Sequence, residues 1–299
     1  MRVTRSVCKR DYHRFHEVRG FLLGMTSRRV EEPGSLRLRR RPRASYCYLL
    51  DADTDLAQEF DLRMRMVARQ AATAVVFDMP VGEFEAGEWA DSGSRGLGLL
   101  MLDGVLALDI HVGDRTATEL TGPGDLLQPW PADADDLLES AIMWHVLLPA
   151  RVAVLDAAFV ERIRPWPQIY VALLRRAGKR ACDLDVQRAI ACQPRLEARL
   201  SLLLWHLAAR WGRVEPGGIR LSLPLTHRMI GQLVGAERPS VSHALGRLAE
   251  SGLVTGKGEE WHLHGSLGHH LACLVDRDPK RAAATATNGA MSPAASPGA

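Results

Sequence analysis

The chain has no run approaching the roughly 18 to 20 uninterrupted apolar residues of a membrane span, and its N-terminus lacks the apolar stretch of a secretory leader. A soluble protein of the cytoplasm, with no membrane partner, is the expectation. Cysteine is sparse: Cys8, Cys47, Cys182, Cys192 and Cys273 are odd in number, scattered, and contain no C-x-x-C pair. That excludes a disulfide scaffold, a zinc ribbon and a clustered iron–sulfur ligand set, and leaves a Cys182/Cys192 redox pair as the minor alternative. No G-x-S-x-G turn, Ser-His-Asp constellation or paired carboxylates stand out, so hydrolytic chemistry is not indicated. Lysine and arginine are missing altogether from Leu126–Leu148.

What the 299 residues do contain is enough apolar material, 46%, for at least one sizeable core, and a length that suggests two domains with some terminal excess. The formal charge of +3 does not by itself imply a nucleic-acid partner, but it is unevenly placed. Residues 1–43 carry 13 basic against 4 acidic side chains, so the remainder is mildly acidic. Residues 1–55 read as a basic extension without periodicity, with Met64, Met66 or Met79 as alternative starts, and residues 269–299, rich in Ala, Pro, Ser and Thr, as a disordered tail.

Between these ends the texture changes twice. Over residues 56–160, short apolar runs (GLGLLML, VLALDIHV, AIMWHVLL, VAVLD) alternate with turn signals such as Gly113-Asp114 and Gly122-Pro123-Gly124-Asp125, predicting an antiparallel β-roll. Residues 161–192 turn helical. Tyr170, Leu174, Ala177, Ala181 and Leu184 step by 4, 3, 4 and 3, an a/d seam expected to pair two copies of one long helix in a homodimer. A second helix over about Arg195–Trp211 is apolar on most of its surface and is expected to be covered.

Residues 193–268 carry the specific pattern. Thr226 is placed to cap a helix through HRMIGQLV, Gly231 offers a small side where helices cross, and Gly235 sits where a tight turn needs positive φ. Val241 follows in a second helix whose first turn holds Arg-Pro-Ser. These offsets describe a helix-turn-helix, and GLVTGKGEEWHLHG a hairpin wing, hence an α+β protein with double-stranded DNA as partner. Pro239 is tolerated where first-turn amides have no helical partner. Arg238 can present its fork to guanine O6 and N7, with Ser240, Ser242 and His243 near phosphates or base edges and Lys257 at the wing tip. The segment 222–265 is formally neutral, with Arg228, Arg238, Arg247 and Lys257 balancing Glu237, Glu250, Glu259 and Glu260, so weak nonspecific affinity is expected.

The order of parts, and above all LTHRMIGQLVGAERPSVSHALGRLAESGLV, resembles the CRP/FNR superfamily of bacterial transcription regulators, in an actinobacterial-type branch, over roughly residues 90–265. The resemblance implies a cyclic-nucleotide-binding-like roll, a dimerisation helix and a winged helix-turn-helix. It places Arg238 and His243 at base-reading positions, and Thr226, His227, Arg228 and Ser240 at phosphate-contacting ones. RNA polymerase is an implied further partner. Nucleotide-binding members follow the Gly-Asp turn with Gly-Glu and Arg-Ser pairs; here it continues as LLQPWPADADD. With no base in Leu126–Leu148 to meet a cyclic phosphate, control by cyclic nucleotide is not expected, and no cofactor is. Two alternatives stand beside this reading. One is a pocket for an unidentified small ligand lined by Trp130 and Trp144. The other is a cupin-like metal enzyme drawing on His111, His145 and Glu119, against which the lack of an H-x-H pair in the roll counts. His262 and His264 form such a pair, but on a wing strand facing solvent.

Overall fold

A computed structural model of the chain describes residues 43–85, 96–128, 140–257 and 259–276. Strand β1 (Arg43–Tyr48) leads into two single-turn helices, α1 (Leu49–Ala52) and α2 (Thr54–Ala57), then α3 (Leu62–Ala71) and β2 (Thr73–Met79). Next come β3 (Gly82–Glu85), β4 (Gly98–Val112), β5 (Arg115–Thr121), β6 (Leu126–Leu127) and β7 (Ser140–Leu155). These seven strands form one antiparallel sheet in the order β1-β2-β7-β4-β5, with β3 on β7 and β6 on β4.

The strands form because their apolar residues alternate and both faces find cover. On one face Leu106, Leu108, Trp144 and Val146 fill the roll with Met79, Leu99 and Met101. On the other, Val105, Ala107 and Leu120 join the core of the C-terminal helices. The long β4–β7 ladder bends at Asp103–Val105, where the register shifts. Gly104, at φ +83°, is required there: a Cβ would lie 2.3 Å from the Pro149 carbonyl oxygen.

Helix α4 (Ala157–Ile163) starts at Asp156, whose carboxylate accepts from the Phe159 amide, and packs Phe159 and Ile163 into the sheet. It leads into the long α5 (Pro167–Ala191) and then α6 (Leu196–Trp211), which buries Leu200, Leu203, Leu204 and Leu207, the covered helix that its composition predicts. The C-terminal part comprises β8 (Gly212–Glu215), β9 (Gly218–Ser222), α7 (His227–Val234), α8 (Arg238–Glu250), β10 (Val254–Lys257), β11 (Glu260–His264) and α9 (Leu267–Asp276). Its sheet runs β10-β11-β9-β8. The α+β class, roll, long helix and winged helix-turn-helix are as the sequence predicts. Among the described residues no helix is long and apolar enough to cross a membrane.

Three expectations need correction. The basic extension does not run to residue 55: β1 pairs with β2 from Arg43↔Asp78 to Tyr48↔Thr73, and Leu49, Leu50 and Leu56 are fully or almost fully buried. The apolar run YCYLL outweighs the flanking arginines. Of the alternative starts, Met64 and Met66 lie inside α3 and Met79 inside β2. The tail does not begin at 269, because α9 continues to Asp276 and His270 is buried against Ser201 and Trp205. Residues 1–42 and 277–299 lie outside the described residues. The minor Cys182/Cys192 pairing fails on geometry: ten residues along a helix at 1.5 Å each separates them by about 15 Å.

Candidate nucleic-acid interface

Helix α7 is fixed at both ends by its own sequence. Thr226 Oγ1 accepts from the Met229 amide at 3.1 Å, and Gly235 closes the helix at φ +66°, a left-handed conformation costly for any side chain. The chain then doubles back so tightly that the Ala236 amide reaches the Gly231 carbonyl at 2.9 Å, and a Cβ at Gly231 would lie 2.4 Å from the Ala236 carbonyl oxygen. Two glycines thus set the angle between α7 and α8. Val241, Ala244, Leu245 and Leu248 of α8 are buried among Ile230, Leu233 and Val234. The opposite face, with Arg238, Pro239, Ser240, Ser242, His243 and Gly246, is exposed. A helix held rigidly by one side, with a bare row of donors on the other, has the form of a major-groove reader.

The anticipated contact residues divide. Arg238, Ser240 and His243 of α8 are all exposed, as are Thr226, the cap of α7, and Arg228 in its first turn. Ser242 is engaged: its hydroxyl lies 2.8 Å from His227 Nδ1 and donates to the Arg238 carbonyl at 3.1 Å, pinning one helix to the other. His227 is accordingly half-buried, its ring 6.3 Å from that of Trp261 on the wing. Lys257 ends β10, paired with Glu260 of β11, but its side chain lies outside the described residues. Between the α7 start and the wing is a pocket of about 370 Å³ lined by Thr226, His227, Gly256, Glu259 and Trp261. Gly256 is required because the Trp261 ring lies where its Cβ would be, 2.6 Å away.

Several positioning residues lie too far apart in sequence for any local pattern to reveal them. Arg247 of α8 meets Glu197 of α6 at 2.5 Å. Burial works against the Glu197 carboxylate, but a helix-start amide and Arg247 outweigh it and hold its pKa below the usual range. Gln187 and Arg199 donate to the Leu233 and Val234 carbonyls at 3.5 and 3.3 Å, covering the open end of α7.

On α5, Ile169, Ala172, Leu173 and Ile190 face the subunit's own core. Of the anticipated seam, Leu174, Ala181 and Leu184 are exposed, Leu174 at 72%, whereas Ala177 is half-buried and the half-buried Tyr170 donates its hydroxyl to the Val160 carbonyl. With Val171 (45%) beside Leu174, the open apolar strip is rotated slightly from the sequence-derived seam.

Two carboxylates of the roll are matched by arginines of α5 and α6. Arg180 of α5 forms a bidentate pair with Glu119, both bonds at 2.7 Å, and donates to the Leu126 carbonyl at 3.4 Å. Burial alone would pull the Arg180 pKa down, but Glu119, with Asp125 behind it, holds it above the usual value. Arg210 of α6 meets Asp125 at 2.7 Å, and Trp211 lies on Gly122 of the same turn, 3.0 Å from where a Cβ would sit. Trp144 is 2% exposed and is core, not a pocket wall, while Trp130 lies outside the described residues. The metal-enzyme alternative is not assembled. Glu119 binds Arg180 on one sheet face, while on the other His111 bonds Thr116 and His145 lies 3.1 Å from Asp109. Among the described residues no group of three His, Cys, Asp or Glu side chains is placed to hold a metal.

Residues 198–264 match the Crp-like helix-turn-helix domain family. The CRP-like cAMP-activated global transcriptional regulator of Mycobacterium tuberculosis is 32% identical over 103 residues, 33% of this chain and 46% of that protein. The global nitrogen regulator of Synechocystis is 26% identical over 109 residues, 36% and 47% of the two chains. The chain thus spans about half the length of the curated relatives it matches. Among solved structures, the global regulator CLP of Xanthomonas campestris, described as c-di-GMP responsive, aligns at TM-score 0.51 and 15% identity over 72% of this chain and all of that one. CprK complexed with OCPA aligns at 0.50 and 16% over 71% and 94%. Both likenesses concern the fold.

Proposed function

We propose that this chain, whose residues 198–264 match the Crp-like helix-turn-helix domain family, is a cytoplasmic transcription regulator of the CRP/FNR type that binds an inverted-repeat operator as a homodimer. The observation that carries this reading is the exposure of Arg238, Ser240 and His243 on a helix whose other face, with Val241, Ala244, Leu245 and Leu248, is packed. Arg238 reads a guanine through a bidentate contact and His243 a neighbouring base. Thr226, Arg228 and Ser240 meet phosphates, with Lys257 added from the wing. Ser242, already bonded to His227, serves to brace the reader. The exposed α5 strip around Leu174 and Ala181 pairs two subunits, and the DNA-bound dimer offers its outer surface to RNA polymerase.

The mycobacterial relative is named for activation by cAMP; this chain is proposed not to share that control. Two arginines do enter the turn region from outside the base-free interval, but each is already matched, Arg180 by Glu119 and Arg210 by Asp125. These pairs tie the roll to α5 and α6 without a ligand, and a cyclic phosphate would have to displace a carboxylate from Arg180.

Unbiased selection of duplexes with the purified protein tests the reading. The expected product is an inverted repeat with half-sites about one helical turn apart, unchanged by millimolar cyclic AMP or cyclic GMP. Asymmetric single sites would remove the dimer, and tightening by either nucleotide would remove the claimed independence.

A further inference from the structure

The hairpin joining β4 and β5 turns at Gly113-Asp114, and its final register pair is Val112↔Arg115. Arg115 Nη1 lies 2.8 Å from Glu237 Oε1, across 122 residues of sequence. Glu237 is the N-cap residue of α8, but its side chain makes no cap bond to that helix. The next residue is Arg238, the proposed base reader.

The hairpin is not a loose neighbour of the reading head. Val105, Ala107 and Leu120 from β4 and β5 share one apolar core with Ile230, Leu233, Val234 and Val241. Gln187 of α5 also ties the Thr118 carbonyl of β5, at 2.8 Å, to the Leu233 carbonyl of α7, at 3.5 Å. The position of Arg115 at the rim of α8 is therefore set by packing. The ion pair it forms is 76% and 74% exposed, so it contributes little to stability and is available to a third charged group.

We infer that Arg115 is a DNA-backbone contact carried by the sensor sheet: it neutralises Glu237 at the edge of the reading surface and offers the rest of its guanidinium to a phosphate of the operator. The inference rests on the proposed DNA-binding function. A lone carboxylate at the N-cap of the reading helix would repel the backbone that Arg238 must approach. Arg115 removes that repulsion through Nη1, and the donors of its exposed guanidinium that do not meet Glu237 are accessible to an oxyanion, so that one fork can serve two acceptors. Asp114, exposed at the turn, opposes the same phosphate. DNA affinity thereby depends on where the roll holds its hairpin, which couples the roll to the operator without a ligand in the roll.

The test uses the full chain, its selected operator and a random duplex, with binding measured from 50 to 200 mM salt. Arg115→Gln should weaken both duplexes alike and make the salt slope shallower by about 1.8 for a dimer losing two contacts. Across that fourfold range the wild-type advantage should shrink by about twelvefold. Glu237→Gln should tighten both duplexes, as should Asp114→Asn. Thermal melting should be unchanged in all three variants, since the side chains are exposed. If Arg115→Gln and Glu237→Gln weaken binding equally with the slope unaltered, the pair is only a brace and the inference fails. If Arg115→Gln tightens binding, the pair is a restraint on the reading head and the inference fails in the opposite sense. Wild-type protein that binds no duplex would remove the premise itself, a different result from either.

Discussion

Replacing Arg180 by Met removes one partner of the Arg180–Glu119 pair at nearly constant volume. The Glu119 side chain is 9% exposed and that of Arg180 24%, so the carboxylate left behind is almost dry. Breaking a buried pair from one side costs about 3–5 kcal/mol; with part of Arg180 open to water, the lower end, about 3 kcal/mol, is expected. Glu119→Leu should cost about as much by stranding the guanidinium. The double variant Glu119→Leu/Arg180→Met strands neither charge and should cost no more than about 1 kcal/mol, giving a coupling energy of about 5 kcal/mol. Denaturant unfolding of the four proteins measures it. Two single variants within 1 kcal/mol of wild type, or additive effects, would refute a dry clamp between roll and α5. The argument that this clamp replaces a ligand would then fall.

Three further outcomes are expected. Ala181→Asp places a charge on the open α5 strip without disturbing the subunit core and should give monomers by light scattering; a fully dimeric variant would move the interface elsewhere. Gly231→Ala, whose Cβ meets backbone at 2.4 Å, should cost about 1–3 kcal/mol and reduce operator affinity, whereas Gly178→Ala, with open space around it, should leave the subunit's stability intact. His270, whose pKa is lowered chiefly by burial, favours the folded state only when neutral. Stability should therefore fall as pH drops below the ordinary histidine value of 6.5, and the fall should be smaller in His270→Gln.

The helix-turn-helix was legible because its constraints are local. A cap, two glycines and an apolar step of three and four lie within some twenty residues, and backbone geometry reads them without reference to the rest of the chain. The roll's strands were legible for the same reason, from alternation between turn signals. The misreadings fall where distant chain decides. Arginines near residue 43 suggested a solvated extension, yet Arg43–Tyr48 forms an edge strand once β2 is there to pair with it, and Leu49 and Leu50 follow into the core. Ser242 looked free to read a base until His227, fifteen positions earlier, came within hydrogen-bond reach. The base-free interval was read correctly as having no cation of its own. What it could not reveal is that Arg180 and Arg210 enter from two helices and are already paired. The seam on α5 was placed by heptad stepping, while which part of that surface stays open depends on what the sheet covers.

The central claim is that the exposed face of α8 reads bases through Arg238. Its most direct test is the ratio of specific to random duplex affinity for Arg238→Ala at fixed salt. The account predicts that discrimination at a single G·C pair of each half-site relaxes by about 1–3 kcal/mol while affinity for random DNA changes little. An equal loss on operator and random DNA would contradict it.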